Sequence, residues 1–184
     1  MNEQPIPTNT EFRKEWTAGR VASIVLLAIL CGALVWNAYS PEDIFFSDLK
    51  YELLVGEKFE PQKDVSVQGR TLQIGQSYYP KGMGVHANSE LNLRFVPESY
   101  SYFAAEIGID AEVPADSPAA VVFSVFSDGT QLYESPIMKP GMPPRLVYVP
   151  IRGRRTLTLK AIAADDGAKE GAHADWAMAR FIAR

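Results

Sequence analysis

The sequence is poor in the residue types on which most catalytic and metal-binding sites depend. Its 184 residues include one cysteine and two histidines. One cysteine excludes a disulfide framework and a cysteine-rich zinc site. The HExxH, GxSxG and GxxxxGK[ST] motifs of metalloproteases, serine hydrolases and phosphate-binding loops are also absent. These absences favour a binding or scaffolding role over catalysis, and we expect no enzymatic activity.

The sequence also lacks an excess of basic residues. Lys plus Arg total 18 against 22 for Asp plus Glu, which gives a formal net charge of −4. Proteins that bind nucleic acids neutralise phosphates with clustered Lys and Arg. We therefore expect no nucleic-acid partner. Apolar residues make up 47% of the chain, which excludes wholesale disorder.

A long uncharged run stands near the amino terminus. Residues 21–36 carry no charge, and as a helix they would cover roughly 24 Å of the ~30 Å hydrocarbon core of a bilayer. Uncharged flanking residues can extend the helix. Arg20 suits one headgroup layer, while Trp36 and Tyr39 suit the opposite interface. The run therefore predicts one transmembrane helix over residues 21–39, with membrane lipid as a partner.

The charges around this run predict its orientation. Three Lys or Arg residues lie shortly before it and one lies shortly after it, and such a bias keeps the more positive side in the cytoplasm. We expect a cytoplasmic polar tail over residues 1–20, a single span of the cytoplasmic (inner) membrane, and a periplasmic or extracellular domain over residues 40–184. The rival interpretation is a cleaved signal peptide, for which residues 31–33 offer small side chains.

Beyond about residue 44 the apolar residues alternate with polar ones in short segments separated by turn signals. Alternation with a period of two indicates strands that place one face on a core. Strands spaced by roughly ten residues, without a long helical pattern, predict an all-β antiparallel sandwich or jelly roll. The alternating segments are Leu91 to Phe95, Phe103 to Ile109, Val121 to Val125, Leu146 to Ile151, Leu157 to Ala161 and Trp176 to Ile182.

One string in the sequence resembles the signature of a known family. Residues Tyr79 to Ser89 read YPKGMGVHANS, which resembles the KGxGxHA signature of the NPCBM family of carbohydrate-binding modules, found beside glycoside hydrolases of family 98. Further blocks match in the same order, and the resemblance covers about residues 44–183. It implies a galactose-binding-like β-sandwich, in agreement with the alternation. The other matching blocks are Phe103 to Asp110, Val121 to Ser135 and His173 to Ala177.

Sugar recognition needs an apolar surface for the C–H face of the ring and convergent polar groups for the hydroxyls. The candidate ligand-binding residues near the matched blocks are His86, Asn88, Tyr79 and Arg145. An imidazole can both donate and accept a hydrogen bond. A buried His86 that pairs with Asp110 or with the backbone is the alternative interpretation.

Three further features each allow two interpretations. Asp110 and Asp175 are candidate ligands for one structural Ca²⁺, which sandwich domains of this resemblance often hold and which prefers oxygen ligands; we expect no other cofactor. Gly82 and Gly84 allow either close approach of another loop or direct approach of a ligand. Trp176 fits a core position better than an exposed sugar platform, because it lies inside an alternating segment.

Two functions remain open at the level of sequence. The first is a non-catalytic, membrane-anchored carbohydrate-binding module that meets its glycan outside the cytoplasmic membrane. The second is an accessory subunit of a membrane protein complex, whose sandwich docks on other subunits. Small residues in the helix, Ala28, Gly32 and Ala33, would allow close helix packing in such a complex.

Overall fold

The structure is a computed structural model that describes residues 21–31, 42–56, 59–94, 96 and 98–183. The chain divides into two compact units, residues 1–41 and residues 42–184. In the first unit, the described residues 21–31 form a helix, α1, whose side chains are exposed. No helix within the described ranges is both long enough and apolar enough to cross a bilayer. The remainder of the predicted span, residues 32–39, lies outside the described residues.

The second unit consists of short strands, as the alternation predicts. Four of the twelve connections between them are two residues long, and two short 3₁₀ segments cover residues 46–48 and 167–169. The strands are β1 (Ile44–Phe45), β2 (Glu52–Val55), β3 (Gln62–Lys63), β4 (Leu72–Ile74), β5 (Ser77–Tyr79), β6 (Gly82–His86), β7 (Ser89–Leu93), β8 (Tyr102–Ile109), β9 (Val121–Ser127), β10 (Thr130–Glu134), β11 (Arg145–Pro150), β12 (Leu157–Ala163) and β13 (His173–Ile182).

The described strands pair into two main antiparallel sheets and a small hairpin. In the first sheet the order is β11-β8-β13-β6-β3, and β1 pairs with the far end of β13. In the second sheet the order is β10-β9-β12-β7-β2. Strands β4 and β5 form the hairpin. This arrangement confirms the predicted all-β sandwich.

The core lies between the inner faces of the two main sheets. Trp176 of β13 is fully buried there, and its ring meets the ring of Phe123 from the opposite sheet edge to face, with centroids 5.2 Å apart. Complete burial of a side chain as large as tryptophan contributes roughly 3 kcal/mol to the stability of the fold. The prediction that Trp176 belongs to the core is therefore confirmed.

The outer face of the first sheet is covered by the β4–β5 hairpin and by the loop before it. Leu72 and Ile74 of the hairpin are fully buried and pack with Ala177 of β13. The loop crosses β6 at Gly84, where an added Cβ would lie 2.7 Å from the Cα of Ser66. Close passage of another loop, the structural interpretation of this glycine, is confirmed.

Candidate functional site

A row of polar residues lies at one end of this covered face. Ile109 of β8 and Val85 of β6 point into the core, so their neighbours Asp110 and His86 point outward, because side chains alternate along a strand. In the same register, His173 of β13 lies directly opposite His86. The family signature thus places its histidine on the outer face, beside a second histidine.

Phe59, His86 and His173 form a compact group of three rings. The ring centroid of Phe59 lies 5.4 Å from that of His86 and 5.8 Å from that of His173, and the two imidazoles are 5.6 Å apart. Phe59 is 43% exposed, whereas both histidines are buried. The group therefore presents an apolar ring to solvent above two polar rings.

Glu112 holds one of these imidazoles in place. Its Oε1 lies 2.7 Å from Nδ1 of His173, and the glutamate side chain is only 2% exposed. The other carboxylate oxygen accepts a hydrogen bond of 2.6 Å from the hydroxyl of Ser66. A neutral His173 that donates from Nδ1 to the carboxylate leaves Nε2 as a hydrogen-bond acceptor. We call Phe59, His86, His173 and Glu112 the two-histidine cluster.

Asp110 and Asp175 lie behind this cluster in very different surroundings. Asp110 accepts hydrogen bonds from the backbone N–H groups of Gln73 and Glu112, at 3.1 and 2.7 Å. Asp175 is fully buried between Gly84 of β6 and Gly108 of β8. Burial, and then the neighbouring Asp110 carboxyl, raise the pKa of Asp175 well above its usual range.

The raised pKa of Asp175 bears on the calcium expectation. A protonated carboxyl is a poor ligand for a hard cation, which binds carboxylate and carbonyl oxygens. Among the residues that the structure describes, no group of three or more His, Cys, Asp or Glu side chains is arranged to hold a metal ion. Calcium binding by Asp110 and Asp175 stays a prediction.

Asn88 and Tyr79 were predicted to contact the ligand together with His86. Asn88 lies two residues beyond His86 in the turn to β7, where its side-chain oxygen accepts a hydrogen bond from the backbone N–H of Ala163. Tyr79 is buried in the hairpin and donates a hydrogen bond of 2.6 Å to Glu106. Burial and this contact with Glu106 raise the pKa of Tyr79 to about 12. In this structure Asn88 stays near His86, while Tyr79 faces the sheet.

Arg145 lies apart from the two-histidine cluster. It opens β11, the edge strand of the first sheet, in register with Ile107 of β8. Ile107 is in turn in register with Trp176 of β13, and Trp176 with Met83 of β6. Three strand spacings of about 4.8 Å separate β11 from β6, and this row has the orientation of core side chains, opposite to that of His86. The structure therefore does not bring Arg145 together with His86.

The sequence interpretation missed Phe59 and Glu112, and it did not assign His173 to the ligand site. His173 carried a signal, since it stands in the last of the matched blocks. Glu112 follows Asp110 by two residues, so it too lies next to a matched block. Phe59 had no such signal, because it reaches the histidines from the β2–β3 connection through tertiary packing alone.

Comparison with known proteins places this geometry in a family. The profile of the NPCBM/NEW2 domain matches residues 42–182. A Renibacterium salmoninarum protein named as an endo-alpha-N-acetylgalactosaminidase is 42% identical over 115 residues, which are 62% of this chain and 7% of that protein. The chain thus spans only a small part of that relative's length.

Two solved structures from Clostridium perfringens resemble the sandwich. The CBM51 of GH95, in complex with methyl-galactose, has a TM-score of 0.71 and 29% identity, covering 76% of this chain and 99% of that one. The CBM51-2 and INT domains of ZmpB, with GlcNAc bound to CBM51-2, have a TM-score of 0.71 and 28% identity, covering 77% of this chain and 32% of that one. The sequence profile and the shared sandwich agree, and the chain belongs to the NPCBM/NEW2 domain family, as a carbohydrate-binding-module-like domain.

Proposed function

We propose that the sandwich is a non-catalytic module that binds a glycan at the two-histidine cluster, and that the amino-terminal segment anchors it in the cytoplasmic membrane with the sandwich on the outer side. The observation that carries the binding site is the exposed ring of Phe59 directly above two imidazoles. Pairing of an apolar ring with polar groups suits a sugar, which has an apolar C–H face and a rim of hydroxyls.

The hydrogen-bonding groups beneath Phe59 also suit a sugar. With Glu112 fixing the orientation of His173, its Nε2 can accept a hydrogen bond from a sugar hydroxyl. The fixed orientation lowers the entropic cost of binding, because the imidazole has few alternative conformations to lose. Asn88 in the neighbouring turn adds an amide at the same end of the sandwich.

The relatives support glycan binding over the alternative of a structural subunit. Two solved relatives at 28 and 29% identity are complexes with GlcNAc and with methyl-galactose. Neither sugar is carried over as the ligand of this chain, but each is a well-founded probe. The named activity of the long Renibacterium relative stays with that protein.

Replacing Phe59 by alanine is expected to weaken sugar binding at least tenfold. The variant removes the apolar ring from the surface, and a tenfold loss corresponds to about 1.4 kcal/mol of binding free energy. Isothermal titration calorimetry of the full chain with methyl-galactose and with GlcNAc measures this change. The matched control is Tyr78→Ala, because Tyr78 is also an exposed aromatic residue, at 68% exposure, but lies on the hairpin; it should bind as the wild type does.

Two outcomes would contradict this assignment. Equal loss of binding in Tyr78→Ala and Phe59→Ala would move the site away from the two-histidine cluster. Failure of the wild type to bind either sugar, or any sugar on a glycan array, would remove the proposed function altogether.

The membrane anchor has a separate test. We expect the full chain, expressed in a bacterial host, to stay in the membrane pellet after extraction with alkaline carbonate. The variant Leu27→Arg, which places a charge near the middle of the uncharged run, is expected to release a large fraction, because an arginine at the centre of a span costs about 2.5 to 3.5 kcal/mol on insertion scales. Thr8→Arg in the polar tail is the control. Recovery of the wild-type chain in the soluble fraction would exclude the anchor.

A further inference from the structure

The second sheet has a cleft of its own, on a different sheet from the two-histidine cluster. The cleft has a volume of about 380 Å³ and is lined by residues 49–52, which lead into β2, and by residues 92–94 at the end of β7. Antiparallel pairing brings the two segments together, since Glu52 lies opposite Asn92. The volume is in the range of small-ligand sites.

The side chains at and beside this cleft carry one more positive than negative charge. Lys50 and Arg94 line it, and Lys63 lies beside it, with its ammonium 5.5 Å from the ring centroid of Tyr51. Two carboxylates, Glu52 and Glu60, lie near these three cations. Glu52 forms an ion pair with Arg94. Burial, and then the negative charge of Glu60, raise the pKa of Tyr51. A local positive excess in a chain of net charge −4 favours an anionic ligand.

Two polar side chains of the cleft can donate hydrogen bonds to a ligand. Arg94 uses its Nε to bond Glu52 at 2.7 Å, and its side chain is 67% exposed. The four N–H groups on its terminal nitrogens are suited to a carboxylate. The side-chain oxygen of Asn92 accepts a hydrogen bond from the hydroxyl of Thr158, at 3.0 Å. The amide nitrogen of Asn92 is thereby oriented as a donor.

We propose that this cleft is a second binding site, which takes an acidic monosaccharide unit: a sugar ring that bears a carboxylate. The carboxylate meets Arg94 and Lys50, a ring hydroxyl accepts from the amide of Asn92, and the C–H face of the ring lies on Leu49 and Tyr51, the two apolar lining residues that are only partly buried. This site goes beyond the proposed function and does not depend on the two-histidine cluster.

Titration of the full chain with D-glucuronate, D-glucose and acetate, followed by calorimetry or by NMR chemical shifts, tests the proposal. We expect glucuronate to bind at least tenfold more tightly than either glucose or acetate, and binding to weaken as the salt concentration rises. Arg94→Gln and Lys50→Gln should each weaken glucuronate binding several-fold. Lys139→Gln, which removes a lysine outside the cleft, should leave it unchanged.

Three results would overturn the proposal. Equal affinity for glucose and glucuronate would show that the carboxylate of the sugar does not contribute to binding. Equal affinity for acetate and glucuronate would reduce the cleft to a simple anion site. Wild-type affinity in Arg94→Gln would place the ligand elsewhere. Because methyl-galactose and GlcNAc test the other site, a failure here is distinguishable from a failure of the proposed function.

Discussion

Replacing Gly84 by alanine is expected to lower the free energy of unfolding by about 3 kcal/mol. A Cβ at this position would overlap the carbonyl oxygen of Val65 and lie 2.7 Å from the Cα of Ser66. These are backbone atoms, which cannot rotate away as a flexible side chain can. The backbone N–H of Ser66 is bonded to the carbonyl of Arg70 at 2.7 Å, so the loop has to move as a unit. Urea denaturation of the full chain measures the loss.

The same substitution reaches the two-histidine cluster. Ser66 donates its hydroxyl to Glu112, which holds His173, so displacement of the loop disturbs the orientation of the imidazole. We therefore expect Gly84→Ala to weaken sugar binding even where the variant remains folded. Gly167→Ala is the control for the stability effect, because its Cβ would meet a single atom at an ordinary 3.4 Å. Equal stability of the two variants would contradict the close packing described at Gly84.

Sequence alternation is clearest in strands with one face on the core and one face toward solvent. Strand β12 shows this well, since its buried residues Leu157, Leu159 and Ala161 alternate with less buried ones. Strand β6 escapes the pattern because all five of its residues, Gly82–His86, are buried. Its inner face meets the core while its outer face lies beneath the loop at Ser66. What the sequence does show there is glycine at alternate positions, which indicates close approach on one face.

The candidate site was predictable only in part. His86 and Asn88 could be named because they stand within a family signature. The grouping of His86 with His173 depends on the pairing of β6 with β13, strands 87 positions apart in sequence, and no local pattern indicates that register. The cleft on the second sheet was not predictable for the same reason, because Glu52 and Asn92 become neighbours only when β2 pairs with β7.

Replacing Asp175 by asparagine is expected to stabilise the sandwich at neutral pH and to leave its stability nearly unchanged in acid. The pKa of this carboxyl is raised in the folded state, first by burial and then by Asp110, from an ordinary value of 3.8. Below that ordinary value the group is protonated in the folded and unfolded states alike, so its ionisation costs nothing. At higher pH the unfolded chain releases the proton while the folded chain keeps it.

The contribution of Asp175 to the free energy of unfolding should therefore fall as the pH rises from about 4 toward the folded pKa, by about 1.4 kcal/mol for each pH unit. Asparagine has nearly the same shape as the carboxyl group and does not ionise. The difference in the free energy of unfolding between the variant and the wild type should therefore grow over this pH range. Urea denaturation at a series of pH values measures the difference. The control is Asp116→Asn, the same substitution at a residue that is exposed in the loop before β9. A pH-independent difference for Asp175→Asn would mean that the buried carboxyl is ionised in the folded protein, held by interactions that compensate for its desolvation.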